Sequence, residues 1–315
     1  MNEVDPSSPS STNGSGGPVR GMMALGAMGW VFAALFLHVL FTVTAMSMRG
    51  EDKPSIFVEA FGQVFGYSVI LFLMMRRYAP ESRVRDFLAV RSTHLAVYPL
   101  AALLGVTIWF PLVWLLNVII ARYPMPESGI ADSLASSSPT RWLAVLFVGV
   151  IGPIAEEVLC RGALVQPLLA RAVTQSPFSF APPEPAEQAT PLPTGGRKSA
   201  YWEVALISAT LFTWLHMQWQ LFPVLFVVAV ALGALRVASA SLIPGVLLHI
   251  AFNSTAIVLT IARPELEVIP PSWAAGGLGA SVLIGALLIV TLRSVSTARA
   301  RAEELAQLAA RATAR

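Results

Sequence analysis

Ionisable side chains stand inside stretches of this sequence that are otherwise apolar. Five of them lie on three apolar segments, namely Glu156, Glu157, Arg161, His216 and His249. Holding one such group in the interior of a bilayer costs about 2.5–3.5 kcal/mol on insertion scales, and groups retained there mark functional sites by default. We therefore expect these side chains to face one another in the interior of a helical bundle.

Helical spacing separates the two carboxylates. Glu157 and Arg161 are four residues apart, so they share one helix face and can form an ion pair. Glu156 is rotated by about 100° from Glu157, which leaves it without that partner and free to face another helix. We expect the ion pair to be structural and Glu156 to be the group that takes part in chemistry.

Two further pairs repeat the four-residue spacing. His249 and Asn253 present a ring nitrogen and an amide on one helix face. Phe212 likewise places an aromatic ring one turn before His216. Residues 152–153 are Gly-Pro, and we expect this dipeptide to kink the helix just before the carboxylates.

These residue types could hydrolyse an amide bond inside a membrane. A carboxyl group in a low-dielectric site is a better general base, and a neutral histidine can orient the water or pass a proton to the leaving amine. A second histidine and an amide can donate to the developing oxyanion. The same donors could instead hold zinc through Glu156, His216 and His249, with one position open for water. The sequence contains neither an HExxH nor a GxSxG motif, and it leaves these two mechanisms open.

The composition indicates where these residues must be held. The chain has 315 residues, 55% hydrophobic and 12% charged, whereas a typical soluble domain is about 25% charged. Together with a mean hydropathy of +0.67, this excludes a soluble enzyme and a disordered chain and indicates a polytopic membrane protein. The single cysteine excludes a disulfide framework and any CxxC metal site.

Eight stretches are long and apolar enough to cross a bilayer, whose core of about 30 Å requires about 20 helical residues. They cover about residues 21–48, 56–75, 95–121, 142–172, 201–219, 222–237, 242–261 and 273–292. The sequence therefore predicts an all-α fold, a polytopic integral membrane bundle of about eight transmembrane helices.

The basic residues between these stretches predict the orientation. If both termini are cytoplasmic, the inner segments hold 15 Lys and Arg residues and the outer segments hold 5, which is the positive-inside asymmetry. The predicted location is the plasma (inner) membrane. Because 20 of the 21 Lys and Arg residues lie outside the apolar interiors, they indicate topology and not a nucleic-acid partner.

The polar segments define the expected domain boundaries. Residues 1–20 are rich in Ser, Gly and Pro, and we expect a disordered tail. Residues 21–292 form the predicted membrane-embedded bundle, with a motif-bearing core at 142–261 and a flexible proline-rich loop at 174–200. Residues 293–315 are predicted to form a basic C-terminal tail.

Three short motifs carry a resemblance to a known family. Residues 156–161 match the pattern EExxxR, residues 212–216 match FxxxH and residues 249–253 match HxxxN. In this order, on successive apolar segments, they resemble the CPBP family (CAAX proteases and bacteriocin-processing proteins), which includes the type II CAAX prenyl endopeptidases. The resemblance covers about residues 142–253. It implies an eight-helix bundle with a site open towards the cytoplasmic half, in agreement with the independent count of spans.

The resemblance also implies a role for each motif residue. Glu156 would activate a water molecule together with His216. His249 and Asn253 would stabilise the oxyanion.

Three other residues would support that site. They are Glu157, Arg161 and Phe212. No cofactor is required if the glutamate activates the water, whereas a metallopeptidase of this family would hold zinc.

Two residues near these motifs are expected to have no chemical role. His38, in the first predicted span, is expected to be a packing histidine. Cys160 neighbours the carboxylates, but a thiol in apolar surroundings is disfavoured from ionising, so we do not expect a nucleophile there.

We therefore expect an intramembrane endopeptidase that cleaves tails of membrane-associated proteins or peptides, either CAAX-like or sorting and leader peptides. Its partners would be these substrates and the lipid bilayer. Two alternatives belong to other classes: a non-catalytic membrane scaffold that confers immunity, and a proton-coupled transporter that uses the Glu and His groups as a relay. The sequence shows no internal repeat of the kind common in transporters.

Overall fold

The structure, a computed structural model, describes residues 19–125, 134, 139–180, 198–263, 266 and 268–313. It is about 80% helical and contains no strand within those residues. The all-α class expected from the sequence is therefore confirmed.

Eleven α-helices lie in the described part of the chain. They are α1 (Ala24–Arg49), α2 (Ile56–Tyr78), α3 (Val84–Phe87), α4 (Val97–Arg122), α5 (Pro139–Leu146), α6 (Gly152–Glu157), α7 (Val165–Ala172), α8 (Lys198–Leu215), α9 (Phe222–Ser239), α10 (Ile243–Ala262) and α11 (Pro271–Thr313).

Seven helical segments among the described residues are long and apolar enough to cross a membrane, by length and composition. The sequence predicted about eight, and the difference falls on the fifth, which corresponds to α8. This helix has 18 residues and ends at Leu215, whereas the expected span continued to residue 219. His216 therefore lies in a turn beyond the helix, and Met217 has a positive φ of 51°.

Residues Pro139–Ala172 form one long membrane segment that is not a regular α-helix. Two π-helices, Phe147–Ile151 and Val158–Ala163, flank the short helix α6. We call the whole segment the broken helix. The first π-helix ends just before residues 152–153, where a kink is expected from the sequence. Proline has no backbone N–H to donate to an α-helical hydrogen bond, and the wider turn of a π-helix accommodates the missing bond.

The core of the bundle has two main parts. One cluster of buried apolar side chains joins α1, α2, α8 and the broken helix. The other joins α4, α9, α10 and α11. Large apolar side chains such as Phe36 and Leu283 are exposed on the outside of the bundle, as a lipid environment requires.

Glycines allow close helix crossings at two places that matter for the site. A Cβ atom at Gly62 or Gly66 of α2 would lie 2.8 Å from backbone atoms of His38 on α1. A Cβ atom at Gly105 of α4 would overlap the carbonyl oxygen of Leu248 on α10. Small residues let membrane helices approach in this way, and Leu248 directly precedes His249.

Three expected segments lie partly outside the described residues. They are the N-terminal tail, for residues 1–18; the proline-rich loop, for residues 181–197; and the C-terminal tail, for residues 314–315. Within the described part, α11 continues from the last span through the basic tail as far as Thr313.

Candidate active site

Glu157 and Arg161 form a fully buried ion pair in the broken helix. The guanidinium Nη1 of Arg161 donates to Glu157 Oε1 at 2.9 Å, and neither side chain is exposed. Arg161 Nη2 also donates to the carbonyl oxygen of Ala229 on α9, at 3.0 Å. The guanidinium carbon lies 4.4 Å from the centre of the Phe212 ring. Buried charges require such partners, and this pair ties the broken helix to α8 and α9.

His249 connects the two carboxylates. Its Nδ1 atom lies 3.2 Å from Glu157 Oε1, and its Nε2 atom lies 3.7 Å from Glu156 Oε2. A carboxylate paired with arginine accepts hydrogen bonds, so we assign the ring proton to Nδ1 in the neutral imidazole. The Nε2 atom is then an acceptor that faces Glu156.

Glu156 has a different environment from its neighbour. Its side chain is 16% exposed, and Oε1 accepts a hydrogen bond of 2.9 Å from Nε2 of Gln63 on α2. The separation of 3.7 Å between Oε2 and His249 Nε2 is too long for a good direct hydrogen bond.

Phe212 lies in contact with both histidines. Its ring centre is 4.9 Å from that of His216 and 5.6 Å from that of His249. The phenylalanine is fully buried. The structure therefore places the FxxxH motif beside the HxxxN motif through this aromatic ring.

His216 is set apart from the carboxylates. Its Nδ1 atom lies 3.1 Å from the carbonyl oxygen of Phe212, which can only accept, so the ring proton is on Nδ1 and Nε2 is free to act as an acceptor. Within the described residues, no hydrogen bond or ion pair joins His216 to Glu156. The family resemblance pairs these two residues, whereas the structure places His249 beside Glu156.

Asn253 belongs to the same face of α10 as His249 but contacts a different element. Its Nδ2 atom donates to the carbonyl oxygen of Val148, in the first π-helix, at 3.0 Å. An amide nitrogen carries two hydrogens, so one hydrogen remains for another acceptor. The amide is held about one helical turn from His249.

The residues considered for zinc do not come together as a metal site. In the part of the chain that the structure describes, no three His, Cys, Asp or Glu side chains form a group that could hold a metal ion. Of the three expected ligands, Glu156 and His249 approach each other and His216 does not join them. We therefore derive no step through a metal.

Part of the Glu156 environment lies outside the three sequence motifs. Gln63 is uncharged and belongs to none of these motifs. In the sequence it is marked only as an amide within the apolar residues of α2. Tyr67 lies near Gln63 and interacts electrostatically with Glu156. His38, expected to be a packing residue, contacts the Tyr67 ring edge-on at 6.3 Å and is close enough to Glu156 for their charges to interact. Cys160 is fully buried.

The comparison with protein families supports the resemblance drawn from the motifs. Residues 138–255 match the family model described as "Type II CAAX prenyl endopeptidase Rce1-like". The match contains the broken helix, α8, α9 and the part of α10 that carries His249 and Asn253. Neither the comparison with curated proteins nor that with solved structures found a match.

Proposed function

Since residues 138–255 match the type II CAAX prenyl endopeptidase family, which is a family of membrane proteases, we propose that this protein is an intramembrane endopeptidase with Glu156 as its general base. The proposed substrates are tails of membrane-associated proteins or peptides, either CAAX-like or sorting and leader peptides. The proposed location is the plasma (inner) membrane, with both termini cytoplasmic.

The observation that carries this proposal is the arrangement of Glu156 and His249. One oxygen of Glu156 is held by Gln63, and the other faces His249 Nε2 across 3.7 Å. Glu156 is the partly exposed member of the carboxylate pair, so a water molecule could reach it. A water molecule that contacts both Oε2 and Nε2 from their open side could lose a proton to the carboxylate and be directed for attack.

The chemistry balances with one water molecule and one peptide bond. Glu156 takes a proton from the water, whose oxygen attacks the scissile carbonyl carbon and forms a tetrahedral intermediate. The remaining N–H of Asn253 donates to the oxyanion. The C–N bond then breaks, and the leaving amine receives a proton through His216 or from Glu156, which yields a free carboxylate and a new amino terminus.

Glu157 and Arg161 would not touch the substrate in this scheme. Glu157 accepts from His249 Nδ1 and thereby orients Nε2 towards Glu156. A carboxylate that orients an imidazole in this way fixes both its tautomer and its ring position, as in the catalytic triad of serine proteases.

The experiment compares protein termini in membranes from cells that express either wild type or Glu156→Gln at matched levels. Mass spectrometry should find new peptide ends in wild type alone. Glu59→Gln is the matched control, because Glu59 is another half-buried carboxylate, in the first turn of α2, and the new ends should persist in this variant. Identical termini in all three membranes, with expression confirmed, would overturn the proposal in favour of a scaffold or a transporter.

A chelator arm tests the metal alternative separately. Under the glutamate mechanism, the purified protein should cleave a peptide that spans the identified site equally well before and after treatment with EDTA. Loss of cleavage that added Zn²⁺ restores would replace this mechanism with a metallopeptidase.

A further inference from the structure

Gln63 reaches the candidate active site from a helix that carries none of the family motifs. It lies on α2, outside the matched residues 138–255. Its Nε2 atom donates to Glu156 Oε1 at 2.9 Å, and the residue is only 7% exposed. A buried amide at this depth requires a hydrogen-bonding partner, and Glu156 supplies one.

The local structure of α2 fixes the direction of this amide. Gly62 and Gly66 allow α2 to approach α1 closely, and Gln63 and Tyr67 lie one residue further along, about 100° around the helix. These two side chains are four residues apart and share a face of α2. Contact with α1 on one face therefore directs the Gln63–Tyr67 face towards the broken helix.

A single amide donor has a specific consequence for Glu156. The last torsion of a glutamate side chain is broad and roughly two-fold, so an unrestrained carboxylate samples many orientations. The bond to Gln63 restrains Oε1 and leaves Oε2 directed at His249 Nε2. Glu157 needs no such restraint, since Arg161 and His249 hold it.

We propose that Gln63 is a positioning residue that orients the general base Glu156 to remove a proton from the attacking water. This inference rests on the proposed function, and it adds a residue of α2 to a site whose recognised motifs lie on three other segments. Gln63 acts through Glu156 and contacts no substrate in this proposal.

The test uses the full chain in lipid nanodiscs and a peptide that spans a cleavage site identified as above. Gln63→Met keeps the length of the side chain and removes its hydrogen-bonding groups. We expect kcat to fall about 10- to 100-fold with KM unchanged, because misplacing a catalytic group by about 1 Å can cost about 100-fold in rate.

The chain offers a matched control for this substitution. Gln220 is 8% exposed and donates its Nε2 to the carbonyl oxygen of Pro124 at 3.3 Å, away from Glu156. Gln220→Met therefore removes an amide of similar burial, and we expect it to leave kcat unchanged. The melting temperatures of both variants should stay close to each other.

Three results would overturn the positioning role of Gln63. Unchanged kcat in Gln63→Met, with wild type active and Glu156→Gln inactive, overturns the positioning role and leaves the protease intact. A rise in KM alone, or a loss of kcat equal to that of Gln220→Met, also overturns it.

If wild type cleaves nothing, the proposed function fails. A double-mutant cycle then tests the underlying contact by itself, with Gln63→Met and Glu156→Met compared singly and together in thermal unfolding. Shifts in melting temperature that simply add would show that the two side chains are not coupled and would overturn the inference.

Discussion

Glu156 and Glu157 are adjacent in the sequence, yet they belong to two different environments. The Glu157 side of the broken helix is fully buried, and there one carboxylate oxygen contacts both Arg161 and His249. The Glu156 side is partly exposed, and there the carboxylate has one amide donor and a gap of 3.7 Å to the same histidine. A rotation of about 100° on one helix thus separates a charge that stabilises the fold from a charge that can react.

His249 is the point at which the two environments meet. Its Nδ1 belongs to the Glu157 side and its Nε2 to the Glu156 side. The difference teaches that a fully buried carboxylate paired with arginine is suited to a structural role, whereas a partly exposed carboxylate without a cation beside it is the better candidate for chemistry. Substitutions on the Glu156 side should therefore change activity, and substitutions on the Glu157 side should change stability.

The largest expected effect is on the Glu156 side. Glu156→Gln should lower kcat about 10²–10⁴-fold, the contribution typical of a general base, and should leave the melting temperature close to that of wild type. Peptide cleavage and thermal unfolding in nanodiscs measure both quantities. A variant that retains wild-type kcat would assign the chemistry to another group.

The next largest effect is on the Glu157 side and concerns stability. Arg161→Met leaves Glu157 as a buried charge without its guanidinium, and breaking such a pair costs about 3–5 kcal/mol. We expect a sharply lower melting temperature and a low yield of folded protein. Double replacement of Glu157 and Arg161 by Gln and Met should recover part of that loss. An Arg161→Met variant as stable as wild type would contradict the structural role of the pair.

The two histidines should respond differently. His249→Gln removes a contact to each carboxylate and should lower both kcat and the melting temperature. His216→Gln should lower kcat alone, because its described contacts are with Phe212 in the adjacent turn. Equal falls in melting temperature in both variants would show that the two histidines do not differ in their contribution to stability.

The smallest expected effect is that of Tyr67→Phe. It removes a hydroxyl group near Gln63 and Glu156 and leaves the bond from Gln63 to Glu156 in place. One hydrogen bond is worth about 0.5–1.5 kcal/mol, so kcat should fall by about 2- to 10-fold at most. A loss as large as that of Glu156→Gln would indicate that Tyr67 itself contacts the reacting groups.

Much of the site followed from spacing within single helices. The four-residue interval between Glu157 and Arg161 indicated their ion pair, and the structure contains it. The placement of Phe212 against His216 followed from the same interval. These contacts depend on one helix at a time, so local geometry suffices to predict them.

Contacts between helices were harder to predict. No sequence pattern connects Gln63 with Glu156, and none sets the relative positions of His216 and His249. It also missed the two π-helices around α6 and the early end of α8 at Leu215. Small backbone adjustments of this kind depend on the surrounding packing, and apolar periodicity does not report them.

The sequence by itself determined that this is an all-α membrane protein whose charged groups gather on a few interior faces, because hydrocarbon excludes charge and unpaired backbone groups. It also determined which carboxylate could pair within its own helix. Only the tertiary structure decided which histidine stands beside Glu156 and that α2 contributes to the site. The physical reason is that these contacts join side chains on different helices, α2 and α10 with the broken helix, and the relative position of two helices is fixed by how they pack together.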